Sequence, residues 1–369
     1  MTHASRTAAR ILARTLLRRP TLAVVAGAVG AAGLLALVAV SPAASATADD
    51  AVPAPTTVAR SAAEAADAVA FWTPERLDGA GSPELTRATG TPGTPDDTPS
   101  ADELATSAAR EQHRARPVIP VAQRVDPVSH VGVVAYVVDG KEMSCTGNAV
   151  ESADGLTVAT AGHCAFPGKD PSRMVFVPGY VKGEPYTIWP VTSVTLPAGW
   201  RETLDPARDT AFLTVASPDG RTLTEAVGAS PVEFHQGLTH YTTIVGYPAS
   251  GRFTGDAPYL CSGTARATHL DGQSGQELDC DMKEGASGAP LFDGSGPGAR
   301  QYSVLSGGLE EAPLVVAPVW DRVIEAAYRT AQAHVGCSRP GRAPTPRRRA
   351  TRPARGSSPP AGTGPRLPP

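Results

Sequence analysis

The chain has 369 residues, enough for one large domain or two ordinary ones, and a net charge of −3 that gives no basis for nucleic acid as a partner. Glycine and proline, at 37 and 36 residues, exceed average usage and point to turn-rich structure, disordered ends, or both.

Residues 1–46 have the order of a secretory signal. Arg6, Arg10, Arg14, Arg18 and Arg19 precede an apolar run from Thr21 to Val40, and small residues follow through Ala44-Ser45-Ala46 and Ala46-Thr47-Ala48. That order predicts export with cleavage after Ala46 or Ala48. The alternative is an uncleaved anchor, since twenty apolar residues can span a bilayer. Residues 47–124 are rich in Ala, Thr, Pro, Asp and Ser, and are expected to form a leader or propeptide that is largely disordered. One short helix is expected there, capped by Ser100 or Asp102 and running through Gln112.

From Val125 the texture changes. The run Val131 to Val138 is β-branched and ends at Asp139-Gly140, a hairpin turn signal. Short strands are expected at 146–150, 156–160, 174–177, 187–194, 210–215, 240–245 and 302–305. Many short strands without helices between them predict an all-β, antiparallel barrel or sandwich. Helical spacing of Val319, Val323, Ile324, Ala327 and Ala331 predicts a closing helix from Val319 to His334. Residues 338–369 carry arginines at 339, 342, 347, 348, 349, 352, 355 and 366 among many prolines, with no acid. Such a tail cannot fold, and could bind anionic envelope polymers or lipid headgroups.

Five cysteines occur, none in a Cys-x-x-Cys pair, so no zinc or other metal site is expected. In an oxidising compartment, disulfides are the expected use. Cys145 with Cys164 and Cys261 with Cys280 offer themselves as pairs, each 19 residues apart, and Cys337 is left over. Each loop would stabilise the fold by roughly 3 kcal/mol in the chain-entropy model.

Acyl transfer from an amide needs a nucleophile, a base, an orienting acid and donors for the oxyanion. His163, in Thr160-Ala-Gly-His-Cys164 after an apolar strand, is the candidate base. Ser287, in Glu284-Gly-Ala-Ser-Gly-Ala-Pro290, is the candidate nucleophile, with the N–H groups of Gly285 and Ser287 as the oxyanion hole. Asp209, at the start of the apolar strand Thr210 to Val215, is the candidate acid. Its rival Asp205 precedes Pro206 and belongs to a turn. Each residue alone is more ordinary than catalytic: a lone histidine is usually structural, and a serine between glycines is usually a turn. As a set they gain weight, because the order His, Asp, Ser excludes the α/β-hydrolase arrangement and matches the two-barrel serine peptidases.

From about Val125 to Gly336 the chain resembles the trypsin-like (chymotrypsin-fold) peptidases, and among them the bacterial V8-like group. The motifs that carry the resemblance are Ser144-Cys-Thr-Gly147, Thr160-Ala-Gly-His-Cys164, Asp209-Thr-Ala-Phe-Leu213, Cys280-Asp-Met282 and Gly285-Ala-Ser-Gly-Ala-Pro290. Pro178-Gly-Tyr180, Trp200, Gly246-Tyr-Pro248 and Leu260-Cys-Ser-Gly263 add to it. The resemblance implies two antiparallel six-stranded β-barrels with a C-terminal helix, a triad in the cleft between them, and a domain at 125–337. It implies a secreted serine endopeptidase that needs no cofactor and acts on polypeptides, expected as a monomer. It also implies a substrate pocket at Asp281, Ser306 and Gly308.

Three departures bear on these expectations. Ala286 stands where animal members carry the aspartate that receives a new N-terminal amine, so activation is expected by loss of the leader. Asp281 stands where trypsin-like enzymes select Arg or Lys, and could instead pair with Lys283, while Leu305 replaces the histidine of Glu-selective V8-like members. Ala289 replaces a usual glycine with little added bulk. The alternative function is a catalytically inactive barrel serving as an envelope-associated binding module.

Overall fold

The computed structural model describes residues 52–83, 122–270, 272–308 and 313–333. The expected signal segment, the helix at 100–112, Cys337 and the arginine-rich tail lie outside the described residues. No helix among the described residues is long and apolar enough to cross a membrane.

The described chain opens with β1 (Thr56–Ala59), α1 (Ala62–Phe71) and α2 (Pro74–Gly79). After β2 (Gln123–Arg124) come β3 (Val131–Val138), β4 (Lys141–Ala149), β5 (Thr157–Thr160), β6 (Ser172–Pro178), β7 (Trp189–Leu196) and β8 (Ala211–Val215). Antiparallel pairing in the order β7-β6-β3-β4-β5-β8, with β8 returning to β7, closes the expected barrel of six strands. The turn between β3 and β4 holds Asp139 at φ 51° and Gly140 at φ 73°, the left-handed pair that a tight hairpin requires.

The second half holds β9 (Tyr241–Gly246), β10 (Tyr259–Thr264), β11 (Arg266–Leu270), β12 (Gln273–Asp279), β13 (Pro290–Asp293), β14 (Arg300–Val304), β15 (Gly307–Gly308) and β16 (Leu314–Pro318). These strands form two antiparallel sheets, β14-β13-β9-β10-β2 and β11-β12-β16-β15. Leu278, Met282, Leu291, Tyr302, Leu305 and Val315 fill a core between them. The all-β architecture and the closing helix agree with expectation. The helix is shorter than its periodicity suggested: it spans Arg322–Ala331, because the Asp321 carboxylate accepts the N–H groups of Val323 and Ile324 and so fixes its start. Ile324, Ala327 and Ala331 bury its inner face against Phe212, Val304 and Trp320.

The uniformly apolar β3 is explained by burial on both faces. Val134 and Tyr136 point into the barrel core with Met174 and Phe176 of β6. Val131, Val133 and Ala135, with Val175 and Val177, face outward into a second core with Tyr247 from the other half and Ala68, Trp72 and Leu77 from α1, the residue after it, and α2. The expectation that residues 47–124 are largely disordered is therefore corrected for residues 52–83. A capping box of Ser61 and Glu64 starts α1, and Thr73 with Pro74 starts α2. Such short helices are marginal in water, but here they dock on an apolar barrel wall. β1 pairs with Ser193–Leu196 of β7, on the stretch that β6 leaves free beyond Trp189 and Pro190.

Candidate active site

β5 delivers its last residue, Thr160, to the cleft, and a single helical turn, Gly162–Ala165, follows it. His163 sits on that turn with its side chain 14% exposed. The expected disulfide Cys145–Cys164 anchors the turn to β4, with Cα atoms 6.3 Å apart. Cys261–Cys280 forms likewise in the second half, with Cα atoms 5.9 Å apart. Gly162 is required by close approach: a Cβ there would lie 2.9 Å from Cε2 of Trp200 and 3.1 Å from Oδ1 of Asp209.

Asp209 is 3% exposed and stands just before β8. Its rival Asp205 is spent as a cap, its Oδ1 accepting the N–H of Ala207 at 2.9 Å. Asp209 holds His163 at two points. Its Oδ1 accepts the backbone N–H of His163 at 2.8 Å, and its Oδ2 lies 2.8 Å from Nδ1 of the ring. A carboxylate can only accept, so Nδ1 carries the proton in the neutral ring and Nε2 is bare. Ser306 completes the shell, its hydroxyl donating to Asp209 Oδ2 at 2.5 Å. Tyr136 lies near this charge; burial, and then Asp209, push its phenol well above the usual range, so it stays protonated.

Ser287 comes from the other half, in the loop between β12 and β13. Its carbonyl accepts the N–H of Thr146 on β4 at 2.8 Å, and Thr146 Oγ1 donates to the carbonyl of Gly285 at 2.9 Å. The Ser287 carbonyl also lies 3.9 Å from Sγ of Cys164, the residue after His163. Gly288, at φ 83°, allows this seating, since a Cβ there would come within 2.2 Å of the Thr146 carbonyl and of Thr160 Oγ1. Ser287 is fully buried. Its hydroxyl and Nε2 of His163 are buried side-chain atoms without hydrogen-bond partners. Both are thus unengaged by the fold, and such bonds often tighten only when a reactant is bound. In the same loop Ala286, Gly288 and Ala289 donate their N–H groups to Lys283, Leu305 and Ala286. Among the described residues, the N–H groups of Gly285 and Ser287 donate to no backbone carbonyl, which leaves two donors two residues apart for an oxyanion.

The three residues expected to line a substrate pocket each have a partner elsewhere in the fold. Gly308 lies on β15, paired with Val315 of β16. Ser306, assigned to that pocket by resemblance, instead turns its hydroxyl to Asp209. Asp281 does not present a free carboxylate. Its oxygens accept Nε of Arg252 at 2.8 Å and the N–H of Ala122 at 2.9 Å, and its side chain is 12% exposed. Arg252 also reaches the Ala122 carbonyl at 2.5 Å. Sequence reasoning missed Arg252, which lies 29 positions from Asp281 in a loop without a distinctive motif. It also missed the pairing of Ser306 with Asp209. Leu305 is buried in the core of the second half.

The chain is similar to known serine peptidases. A family model described as a trypsin-like peptidase domain matches residues 145–297. The chain is similar to the crystal structure of protease Anisep from Arthrobacter nicotinovorans, at 35% identity and a TM-score of 0.55, covering 58% of this chain and 100% of that one. It is also similar to a thermostable serine protease, AL20, from an extremophilic microorganism, at 33% identity and a TM-score of 0.54, covering 56% of this chain and 98% of that one. Among curated proteins there is no match.

Proposed function

The chain belongs to the trypsin-like serine peptidases and is a serine endopeptidase, and from that premise we propose that His163, Asp209 and Ser287 cut peptide bonds through an acyl-enzyme. Ser287 Oγ attacks the scissile carbonyl carbon while its proton passes to Nε2 of His163. The carbonyl oxygen becomes an oxyanion held by the N–H groups of Gly285 and Ser287. The C–N bond then breaks, and the amine leaves with the proton from Nε2. Water repeats the sequence and releases the acid, regenerating the Ser287 hydroxyl.

The observation that carries this reading is the double grip of Asp209 on His163, through Nδ1 and the backbone N–H. It fixes the tautomer whose Nε2 accepts a proton. An inactive barrel is disfavoured, because all three positions retain chemically competent residues. Burst kinetics with a chromogenic ester test the proposal. Acyl-enzyme accumulation that disappears in Ser287→Ala supports it, and a burst unaffected by that change sinks it.

Finer assignments belong to the same proposal. We place the enzyme in the V8-like group on its Pro178-Gly-Tyr180 and Gly246-Tyr-Pro248 motifs. Engagement of Asp281 by Arg252 and the apolar Leu305 support a pocket that selects neither basic nor glutamate side chains. The N-terminal signal pattern supports secretion, with residues 47–124 as a leader, and the arginines of residues 338–369 support a tether to anionic envelope polymers.

A further inference from the structure

The edge of β4 that faces the cleft is only partly used by the barrel. β4 pairs with β3 along its length from Lys141 to Asn148, but on its other edge β5 reaches only Asn148 and Ala149. Rungs 142, 144 and 146 of that edge are occupied otherwise. The N–H of Thr146 holds the Ser287 carbonyl. The next rungs hold the end of the N-terminal segment: Gly81 donates its N–H to the Glu142 carbonyl at 2.9 Å, and its carbonyl accepts the N–H of Ser144 at 2.6 Å. Gly81 thus sits one two-residue step from the nucleophile's own anchor, roughly 7 Å along the strand.

The pairing of Gly81 with Met143 is parallel. Ser82 and Pro83 therefore run the same way as β4, toward Thr146 and the Ser287 loop. Ser82 is placed accordingly. Its hydroxyl is buried without a hydrogen-bond partner, 2.9 Å from where a Cβ on Gly285 would stand. Pro83 lacks the N–H that another rung would need. Behind this contact the segment is firmly held. Asp78 accepts the Tyr180 hydroxyl and pairs with Lys182 Nζ at 3.4 Å. Arg76 pairs with Glu142, and Trp72 donates to the Arg173 carbonyl at 2.6 Å.

We propose that residues 52–83 are an intramolecular inhibitor that occupies the β4 edge beside Ser287, in place of an extended polypeptide substrate. An extended peptide entering this cleft adds to a free strand edge, and the rungs at Glu142 and Ser144 cannot serve two chains at once. The inference rests on the peptidase reading of the same cleft and adds the regulation of that site. It also gives the leader a mode of action: it blocks the strand edge beside an assembled Asp209–His163 pair, so its removal uncovers a finished site.

The test uses the full chain, with the leader shown by mass to be attached before and after each assay. Two readouts separate the two claims. Labelling of Ser287 by a small fluorophosphonate needs no place on β4, whereas cleavage of a peptide extending on both sides of the cut does. Gly81→Pro removes the rung donor and places its ring against the Glu142 carbonyl. Asp78→Ala releases the tether at Tyr180 and Lys182, as a second and independent loosening. Both are expected to raise kcat/KM for the long peptide by about tenfold, with labelling changed by less than about twofold. Peptide cleavage equal to the parent in both variants, with normal labelling and an attached leader, overturns the inhibitor assignment alone. Absence of labelling in parent and variants alike overturns the peptidase reading and the inhibitor with it.

Discussion

Gly162→Ala offers the sharpest test of how the site is held. The added Cβ would lie 2.9 Å from Cε2 and 3.0 Å from Cδ2 of Trp200, and 3.1 Å from Asp209 Oδ1. Carbon atoms in good contact sit about 3.5–4 Å apart, so these groups must separate by about half an ångström. Trp200 cannot yield easily, because it is 3% exposed and its Nε1 donates to the Phe166 carbonyl at 3.1 Å. The strain therefore falls on the His163 turn and on its two contacts with Asp209. A full ångström of misplacement costs about a hundredfold in rate, so kcat/KM should fall by roughly tenfold or more. The overpacked site should also lose about 1–3 kcal/mol of stability. Peptide hydrolysis with parallel thermal unfolding measures both. A variant with the parent's kcat/KM and melting temperature would refute the account of Gly162 as the spacer between Trp200 and Asp209.

Three other outcomes follow from the same geometry. Ser306→Ala removes a donor to Asp209, and should lower kcat by about tenfold or more with KM nearly unchanged, whereas a pocket-lining role would move KM instead. Arg252→Ala uncovers the Asp281 carboxylate, and should raise kcat/KM for an arginine or lysine substrate about tenfold relative to a neutral one, read from a paired peptide series. His130 is held below its ordinary pKa of 6.5, chiefly by burial and against the opposing bond to Asn148. Below pH 6.5 the unfolded chain binds a proton that the folded one refuses, so stability is lost as pH falls through that value. Urea midpoints between pH 5 and 8 should show that loss, reduced in His130→Gln.

The parts legible in the sequence were those with local signals. The hairpin at Asp139-Gly140 announced itself because two adjacent residues needed positive φ. β3, β5 and β8 were apolar enough to find, since the barrel buries them deeply. β11 and β12 were not, because Arg266–Leu270 and Gln273–Asp279 alternate weakly and show polar side chains to solvent. Residues 52–83 were not legible as folded for a different reason. Ala65, Ala68, Trp72 and Leu77 are too sparse to suggest a core, and are buried only because β3 and β6 present an apolar outer wall. Of the candidate site, His163, Asp209 and Ser287 could be singled out by motif and order, as could both disulfides. The partners of Asp281 and Ser306 could not, because Arg252 and Asp209 reach them only through the fold.

The most direct measurement of the central claim is the location of a covalent adduct. The enzyme is treated with a fluorophosphonate, digested, and mapped by tandem mass spectrometry. The account predicts one modified residue, Ser287, with labelling lost in His163→Ala, where the base is missing. An adduct on another serine, or labelling of Ser287 at the parent rate without His163, would contradict it.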